Sequence, residues 1–232
     1  MNQIVTIIPA AGSGTRMGEA LPKQYLEING RPLIFHTLAA LLTVPRVAKV
    51  VVVIAANDNL WDDLFRRHGA QWHDKINVAR VGGATRGESV LNGLRTLSGV
   101  LAADDWAMVH DAARPCIHPD MIERLLDEVA DDKIGGLLAL PVADTLKQAD
   151  GTNGHPRTKR TVPRTHLWRA QTPQIFRYGM LCEALAGMPN ATDEAEAVEA
   201  MGHAARLVMG DSSNIKVTYA SDVKMAEILL RP

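Results

Sequence analysis

Residues 7–25 read IIPAAGSGTRMGEALPKQY, an apolar run that turns into a glycine-rich loop. The loop carries Gly12 and Gly14, and the basic residues Arg16 and Lys23 follow it. A glycine loop directly after a strand presents backbone N–H groups, which bind phosphate well where the next helix begins. The stretch therefore predicts a first strand followed by a phosphate-binding loop with two positive charges.

Apolar runs and helical patterns alternate along most of the chain. Continuous apolar runs indicate strands buried on both faces, and they occupy residues 4–8, 47–55, 76–81, 106–109 and 135–140. Helical spacing occupies residues 33–42, 60–68, 86–97 and 119–130. This order predicts an α/β fold with a mostly parallel, Rossmann-like doubly wound sheet.

Three loops of unusual composition follow strands of this predicted sheet, at residues 9–23, 82–89 and 110–115. Open parallel sheets bind their ligands beyond the carboxyl ends of the strands. We therefore expect these loops to meet in a single active cleft.

Residues 141–172 break the pattern with polar and apolar residues in rough alternation around DGTNGHP. They predict two strands and a turn that protrude from the sheet as a β-arm. An isolated hairpin is marginally stable in water, so we expect the arm to pack against a second copy of the chain. Helices near residues 177–186, 193–201 and 221–230 and a strand near 206–209 complete one domain over residues 1–232.

Composition excludes several classes of protein. The 232 residues carry a formal net charge of −1, which gives no electrostatic reason to expect nucleic acid or an anionic membrane as a partner. Cys116 and Cys182 lie far apart in sequence, which suits a reducing compartment rather than a disulfide scaffold. The sequence has no signal-peptide pattern and no apolar run near ~20 residues. We expect a soluble cytoplasmic protein.

Two familiar glycine motifs do not fit. The dinucleotide fingerprint GxGxxG requires a third glycine where this chain has Met17. GGATRGES, residues 82–89, has the spacing of a P-loop, but Glu88 replaces the lysine and its carboxylate would repel a phosphate. The first exclusion argues against an NAD-dependent oxidoreductase and the second against a Walker-type NTPase.

PAAGSGTRM followed by PKQY resembles the signature of the GT-A-like nucleotidyltransferases. Further motifs appear in order along the chain: VHDAARPC (109–116), PVADTLK (141–147), LWRAQTPQIF (167–176), ATDEA (191–195) and NIKVT (214–218). Together they resemble the 2-C-methyl-D-erythritol 4-phosphate cytidylyltransferase family of the non-mevalonate isoprenoid pathway. The resemblance covers residues 4–230, and six motifs in one order are far more specific than any one of them.

The resemblance implies a reaction in which the substrate phosphate attacks the α-phosphorus of CTP and pyrophosphate leaves. It assigns Arg16, Lys23 and Lys216 to the phosphates as catalytic residues, and Asp111 to a Mg²⁺ ion and the substrate. Positive charge and positioning suit this chemistry, since no covalent nucleophile is needed. A hard cation such as Mg²⁺ binds one or two carboxylates together with phosphates.

The resemblance also assigns residues to the two substrates. The cytidine nucleotide is expected at Ala10, Ala11, Gly12, Gly82, Gly83, Arg86 and Ser89. The phospho-polyol is expected at Asp111, Arg114, Thr145, Arg164 and Thr172. In the family the arm crosses to the partner subunit, which implies a homodimer whose arms complete each other's sites. Pro163 stands where the family often has an acidic residue, so the geometry around Arg164 is left open.

The residues leave other functions open. A ribitol 5-phosphate cytidylyltransferase would share the CTP loop and the magnesium site and differ in the polyol pocket. A nucleotide-binding regulator without turnover is another alternative, although it would not need positive charge on both flanks of the α-phosphate.

Overall fold

The computed structural model describes residues 4–12, 21–151 and 154–231. Its main feature is a seven-stranded sheet. The strands of this sheet are β1 Ile4–Pro9, β4 Lys49–Val53, β5 Ile76–Ala79, β6 Trp106–Val109, β7 Gly135–Pro141, β10 Trp168–Arg177 and β11 Arg206–Met209. They lie in the spatial order β11-β7-β10-β6-β1-β4-β5. Only β10 runs antiparallel to its neighbours in this sheet. The predicted mostly parallel α/β fold is confirmed.

Helices cover both faces of the sheet. They are α1 Leu33–Leu42, α2 Trp61–His68, α3 Arg86–Arg95, α4 Pro119–Glu128, α5 Tyr178–Gly187, α6 Glu194–Ala200 and α7 Ala220–Leu229. Side chains alternate across each strand, so Val50 and Val52 pack under α1, α2 and α4, whereas Val51 and Val53 pack under α3, α5 and α6. The two apolar layers bury the strands on both faces, which is why their sequences read as continuous apolar runs.

The antiparallel strand β10 was not predicted as part of the main sheet. It lies between β6 and β7 and pairs with both. The chain returns to the sheet directly from the arm, without a crossover helix, and such a return places neighbouring strands antiparallel. Its pairing with β7 is interrupted between Ala170 and Gln174, so residues 171–173 leave the regular ladder beside the loop after β6.

The protruding arm is shorter than the sequence suggested. It contains β8 Leu146–Ala149 and β9 Thr158–Val162, which pair antiparallel as a separate two-stranded sheet. Residues 168–172 were predicted as arm but belong to the beginning of β10, where Trp168 pairs with Pro141. The arm therefore lies within residues 142–167, and most of its described side chains are exposed.

A second small hairpin was also not predicted. It pairs β2 Glu27–Ile28 with β3 Arg31–Pro32 around Asn29 and Gly30, both of which have positive φ. The hairpin follows a single 3₁₀ turn at Lys23–Tyr25 and leads directly into α1. No helix among the described residues is long and apolar enough to cross a membrane.

Candidate active site

The loops after β1, β5 and β6 meet at the carboxyl end of the sheet, as the sequence predicted. They enclose a cleft of about 450 Å³. The cleft is lined by Pro9, Ala10, Ala11, Gly12, Lys23, Gln24, Gly83, Ala84, Thr85, Arg86, Ser89, Asp111, Ala112, Ala113 and Lys216. A smaller pocket of about 160 Å³ adjoins it and shares Arg86, Asp111 and Lys216 with it. Two compartments with a common wall suit two substrates that must meet.

The loop after β1 forms one side of the cleft. The Ala10 N–H donates to the Val53 carbonyl at 2.7 Å, and the Gln24 side-chain amide donates to the Ala10 carbonyl at 2.7 Å. Gln24 is 7% exposed and was missed by the sequence reasoning, although it lies in the quoted PKQY motif. It ties the turn that carries Lys23 to the end of β1. The predicted catalytic residue Arg16 lies outside the described residues.

Tyr25 anchors the same turn from its other side. Its hydroxyl donates to Asp58 Oδ2 at 2.6 Å, while Asp58 Oδ1 accepts the N–H groups of Leu60 and Trp61 at the start of α2. Burial, together with the neighbouring Asp58, raises the pKa of Tyr25 above its ordinary value, so the hydroxyl stays protonated and remains a donor. Lys23 is thereby held at the cleft by two buried neighbours.

The loop before α3 faces the first loop across the cleft. The Ser89 hydroxyl accepts the Gly83 N–H at 3.0 Å and donates to the Thr85 carbonyl at 2.9 Å. Thr85 and Glu88 form a capping box, in which the Thr85 hydroxyl accepts the Glu88 N–H at 3.0 Å and the Glu88 carboxylate accepts the Thr85 N–H at 3.3 Å. Glu88, which stands where a P-loop would have its lysine, therefore caps the beginning of α3. Ser89 shapes the loop from a buried position.

Gly82 does not line the larger cleft, unlike the other predicted nucleotide residues that the structure describes. Its role is close packing: a Cβ there would collide with the Cβ of Ala11, and its N–H donates to the Ile54 carbonyl at 3.0 Å. The absence of a side chain allows the two loops to touch. Gly82 therefore sets the separation of the loops.

We expect Gly82→Ala to lower the free energy of unfolding by about 1–3 kcal/mol, because the methyl group must push the two loops apart. The matched control is Gly187→Ala, since a Cβ at Gly187 meets nothing within 4 Å. Urea unfolding of both variants measures the effect. Equal stability of Gly82→Ala and the wild-type protein would show that the loops do not depend on this contact.

Asp111, near the beginning of the loop after β6, is the centre of charge in the site. Its Oδ1 lies 3.0 Å from Arg86 Nε, and its Oδ2 lies 2.8 Å from Lys216 Nζ and 3.6 Å from Arg114 Nε. Burial alone would raise the pKa of Asp111, but Arg86, Lys216 and Arg114 outweigh it and hold the pKa well below its ordinary value. Asp111 is therefore ionised at neutral pH.

Glu194 completes the group and was not singled out by the sequence reasoning, although it lies in the quoted ATDEA motif. It begins α6 and is fully buried. Its two oxygens accept from Arg86 Nη1 at 2.6 Å and Nη2 at 3.1 Å. Burial opposes the charge of Arg86, but Glu194 and Asp111 overcome it and raise the pKa of Arg86. Burial raises the pKa of Glu194, and the Arg86 fork counteracts this.

Thr172 and His110 support the backbone of Asp111. The Asp111 N–H donates to Thr172 Oγ1 at 3.0 Å, and that hydroxyl lies 3.0 Å from His110 Nδ1. His110 Nε2 lies 3.2 Å from the Arg114 carbonyl, which assigns the ring proton to Nε2. Burial lowers the pKa of His110 to about 4, so the ring is neutral. His110 is a fully buried link between the Thr172 hydroxyl and the Arg114 carbonyl, and the Thr172 hydroxyl is occupied within this chain of bonds.

Asn214 connects the last motif to the other two. It is fully buried, its side-chain amide donates to the Thr172 carbonyl at 2.8 Å, and its own carbonyl accepts from Arg114 Nη1 at 2.7 Å. These bonds place Lys216, two residues further on, beside Asp111. The three motifs around Asp111, Thr172 and Lys216, which are distant in sequence, are therefore joined by hydrogen bonds in the structure.

The structure does not bring every predicted residue to the cleft. Thr145 and Arg164 lie on the arm, are exposed, and line neither the larger cleft nor the smaller pocket. Arg114 and Thr172 do line the smaller pocket.

Among the described residues that line this cleft, Asp111 is the one carboxylate that a metal ion could meet. Among the described residues, no group of three or more His, Cys, Asp or Glu side chains could hold a metal ion. Of the described side chains at the wall that both pockets share, Asp111 is the one with carboxylate oxygens. This donor set fits Mg²⁺, which binds through one or two carboxylates plus substrate phosphates, and does not fit a metal held by protein alone.

A mostly parallel sheet, two loops at one cleft and the Lys216–Asp111 pair suit an α/β enzyme that acts on phosphorylated substrates. Comparison with known families is more specific. Residues 4–232 match the family described as IspD: 2-C-methyl-D-erythritol 4-phosphate cytidylyltransferase. The chain belongs to this family of nucleotidyltransferase enzymes.

Individual relatives agree with this membership over nearly their whole length. A 2-C-methyl-D-erythritol 4-phosphate cytidylyltransferase of Dechloromonas aromatica is 53% identical over 225 residues, which is 97% of this chain and 96% of that protein. A cytidylyltransferase of the same name from Azoarcus sp. is 52% identical over 227 residues, which is 97% of this chain and 92% of that protein. The family predicted from the six motifs is confirmed.

Solved structures agree as well. A crystal structure of 4-diphosphocytidyl-2C-methyl-D-erythritol synthase superposes with a TM-score of 0.87 at 36% identity, covering 100% of both chains. The Francisella tularensis cytidylyltransferase superposes with a TM-score of 0.82 at 34% identity, covering 98% of this chain and 100% of that one. The predicted fold is therefore that of cytidylyltransferases, and the regulator alternative is not supported.

Proposed function

We propose that this enzyme transfers CMP from CTP to 2-C-methyl-D-erythritol 4-phosphate. The products are 4-diphosphocytidyl-2-C-methyl-D-erythritol and pyrophosphate. The reaction is an intermediate step of non-mevalonate isoprenoid synthesis. Family membership supports the reaction. The single observation that carries it is the cleft in which both glycine-bearing loops, Lys23, Lys216 and Asp111 meet. We also propose that the enzyme is cytoplasmic, because the two free cysteines of the chain, Cys116 and Cys182, suit a reducing compartment.

In the proposed reaction, an oxygen of the substrate phosphate attacks the α-phosphorus of CTP. A new P–O bond forms, the bond from the α-phosphorus to the bridging oxygen of the β-phosphate breaks, and pyrophosphate leaves. Lys23 and Lys216 line the cleft from different segments of the chain and would stabilise negative charge as it develops on the phosphates. Arg16 keeps its predicted role in the same loop as Lys23, outside the described residues.

The nucleotide is proposed to lie between the first loop and the loop before α3. Ala10, Ala11, Gly12 and Gly83 present small surfaces there, so backbone groups can approach the nucleotide closely. Gly82, Ser89 and Arg86 contribute indirectly: the first two shape the loop, and the third binds the two carboxylates Asp111 and Glu194.

Mg²⁺ is the proposed cofactor. Asp111 would hold it together with phosphate oxygens of CTP, and the bound ion would neutralise charge on those oxygens. The exposed fraction of the Lys216 side chain is 43%, so this lysine has room to turn from Asp111 toward a phosphate.

We further propose that the enzyme is a homodimer and that the arm of each chain reaches the other chain's site. The exposed two-stranded arm carries Thr145 and Arg164 away from its own cleft, and a two-stranded sheet alone is marginally stable. Arg164 would bind the phosphate of the phospho-polyol through its fork of N–H donors. Thr145 would lie beside it, with Arg114 and Thr172 at the smaller pocket of the receiving chain.

We expect Arg164→Ala to raise the KM for the phospho-polyol about 10- to 100-fold, because a charge-assisted hydrogen bond is worth about 1.5–3 kcal/mol. The KM for CTP should change little. Arg157→Ala is the matched control, because Arg157 is an exposed arginine on the same arm. An unchanged KM for the phospho-polyol in Arg164→Ala would contradict the assignment.

Shared sites predict rescue between two defective chains. Mixing Arg164→Ala with Lys23→Ala should restore activity at low substrate concentration, since one site of each mixed dimer keeps both residues. The measurement is pyrophosphate release after co-refolding, with mixed dimers verified by differential tags. Mixed dimers without rescue would argue against sharing.

The substrate itself is tested by comparing polyol phosphates. We expect pyrophosphate release with CTP, Mg²⁺ and 2-C-methyl-D-erythritol 4-phosphate, and at least about 100-fold lower kcat/KM with ribitol 5-phosphate, a difference of roughly 2.7 kcal/mol. A preference for ribitol 5-phosphate would keep the reaction class and replace the substrate.

A further inference from the structure

Glu194 is the most deeply buried carboxylate beside the site, with no exposed surface. Burying a charge is costly unless it is paired and hydrogen-bonded. Its position at the first residue of α6 helps, since a helix N-terminus favours negative charge. Both side-chain bonds described for Glu194 go to Arg86, at 2.6 Å and 3.1 Å. The Glu194 carboxylate therefore binds a single group, the guanidinium of Arg86.

Arg86 passes this constraint on to Asp111. Its two Nη atoms bind Glu194, and its Nε donates to Asp111 Oδ1 at 3.0 Å. The guanidinium group is planar and rigid, so fixing one edge fixes the direction of the Nε–H. Asp111 Oδ2 is left facing Lys216 and Arg114. Arg86 also lines both compartments, so the chain of contacts runs through the wall between them.

We propose that Glu194 is a positioning residue for cytidylyl transfer. It locks Arg86, and Arg86 holds the Asp111 carboxylate in the orientation that the reaction needs at the wall between the nucleotide and the phospho-polyol. Arg86 is then a positioning residue too, rather than a direct contact of the nucleotide. This inference rests on the proposed function, and it concerns residues of this chain alone.

A purely structural role for Glu194 makes a different prediction. If Glu194 only tied α6 to the sheet, its loss would reduce stability and leave kcat of the folded protein unchanged. Gln174 and Asp193 already anchor the start of α6, because the Gln174 side chain accepts the Ala195 N–H at 2.9 Å and donates to Asp193 at 3.0 Å. The helix therefore has another attachment, and Glu194 can be altered with the fold retained.

The first test is Glu194→Gln, which keeps the shape and removes the charge. We expect kcat to fall about 10- to 100-fold, as is typical for residues that orient a ligating side chain, with little change in the KM for CTP. Glu199→Gln is the matched control, because Glu199 is an exposed glutamate on the same helix. Wild-type kcat in folded Glu194→Gln would overturn the inference.

A double-mutant cycle with Asp111→Asn separates positioning from general damage. If Glu194 acts through Asp111, adding Glu194→Gln to Asp111→Asn should lower kcat less than about 2-fold further. If the fold loss of kcat in the double variant equals the product of the losses in the two single variants, the inference is overturned. Should Glu194→Gln fail to fold, Arg86→Lys takes its place in the same cycle, since lysine lacks the fork that spans both carboxylates. Full kcat in Arg86→Lys would equally overturn it.

A structural measurement distinguishes this inference from the proposed function. A crystal structure of Glu194→Gln should show the Asp111 carboxylate turned away from its position in the wild-type protein. An unmoved carboxylate would overturn the inference whatever the turnover. Absence of turnover in the wild-type protein would overturn the proposed function. The position of Asp111 in the variant would still show whether Glu194 positions Asp111 through Arg86.

Discussion

Lys23→Ala is expected to lower kcat about 10²- to 10³-fold, the typical loss when one preorganised group that stabilises transition-state charge is removed. Lys23 lines the cleft on the first loop, opposite the loop before α3. The dissociation constant for CTP should rise far less, because charge on the α-phosphate grows only as the reaction proceeds. Single-turnover rates together with calorimetric CTP binding measure the two quantities separately.

Lys133→Ala is the control for this experiment, because Lys133 is an exposed lysine just before β7 and does not line the cleft. It should have wild-type kcat and CTP affinity. Equal losses of kcat and CTP affinity in Lys23→Ala would mean that the lysine binds the ground state. The transition-state role would then be wrong.

Asp111→Asn is expected to lower kcat at least about 10²-fold. The substitution leaves Arg86, Arg114 and Lys216 around a neutral amide and removes the carboxylate proposed to hold the metal ion. We also expect the free energy of unfolding to fall by about 2 kcal/mol, since hydrogen bonds to a charged group are lost. Urea unfolding and the dependence of kcat on Mg²⁺ concentration measure the two effects.

The sign of the pKa shift sets the pH for that stability comparison. The three cations hold the pKa of Asp111 below its ordinary value, so its contribution is fully present above the unfolded pKa and is lost as pH falls. The two proteins should therefore differ in stability at neutral pH and converge in acid. An exposed aspartate, Asp74, supplies the control Asp74→Asn. Full activity of Asp111→Asn would contradict a central role for this carboxylate.

Much of the fold follows from local pattern in the sequence. Burial on both faces makes the strands of the sheet continuous apolar runs, and β6, β11 and α1 have the bounds that their patterns predict. The small hairpin of β2 and β3 escapes prediction because two-residue strands carry no periodicity. β10 escapes because its direction and neighbours depend on where the arm returns to the sheet, which is a tertiary property.

The candidate site shows the same division. Lys23 could be predicted from its charge and its place beside the glycine loop, whereas Asp111 and Lys216 were assigned by the family resemblance. The structure brings all three residues to one cleft. Glu194 and Gln24 could not be predicted, because their partners are 108 and 14 residues away in the chain. The quoted motifs PKQY and ATDEA contain both residues, and membership of those motifs was the available signal.

The central claim is that this cleft joins CMP to a phospho-polyol. It is tested most directly by ³¹P NMR of the wild-type enzyme with CTP, Mg²⁺ and 2-C-methyl-D-erythritol 4-phosphate. We predict that the substrate phosphate signal is replaced by two coupled signals of a new diphosphate diester, with an equal amount of pyrophosphate. An unchanged substrate signal, or CTP that is hydrolysed without a new diester, would contradict the claim.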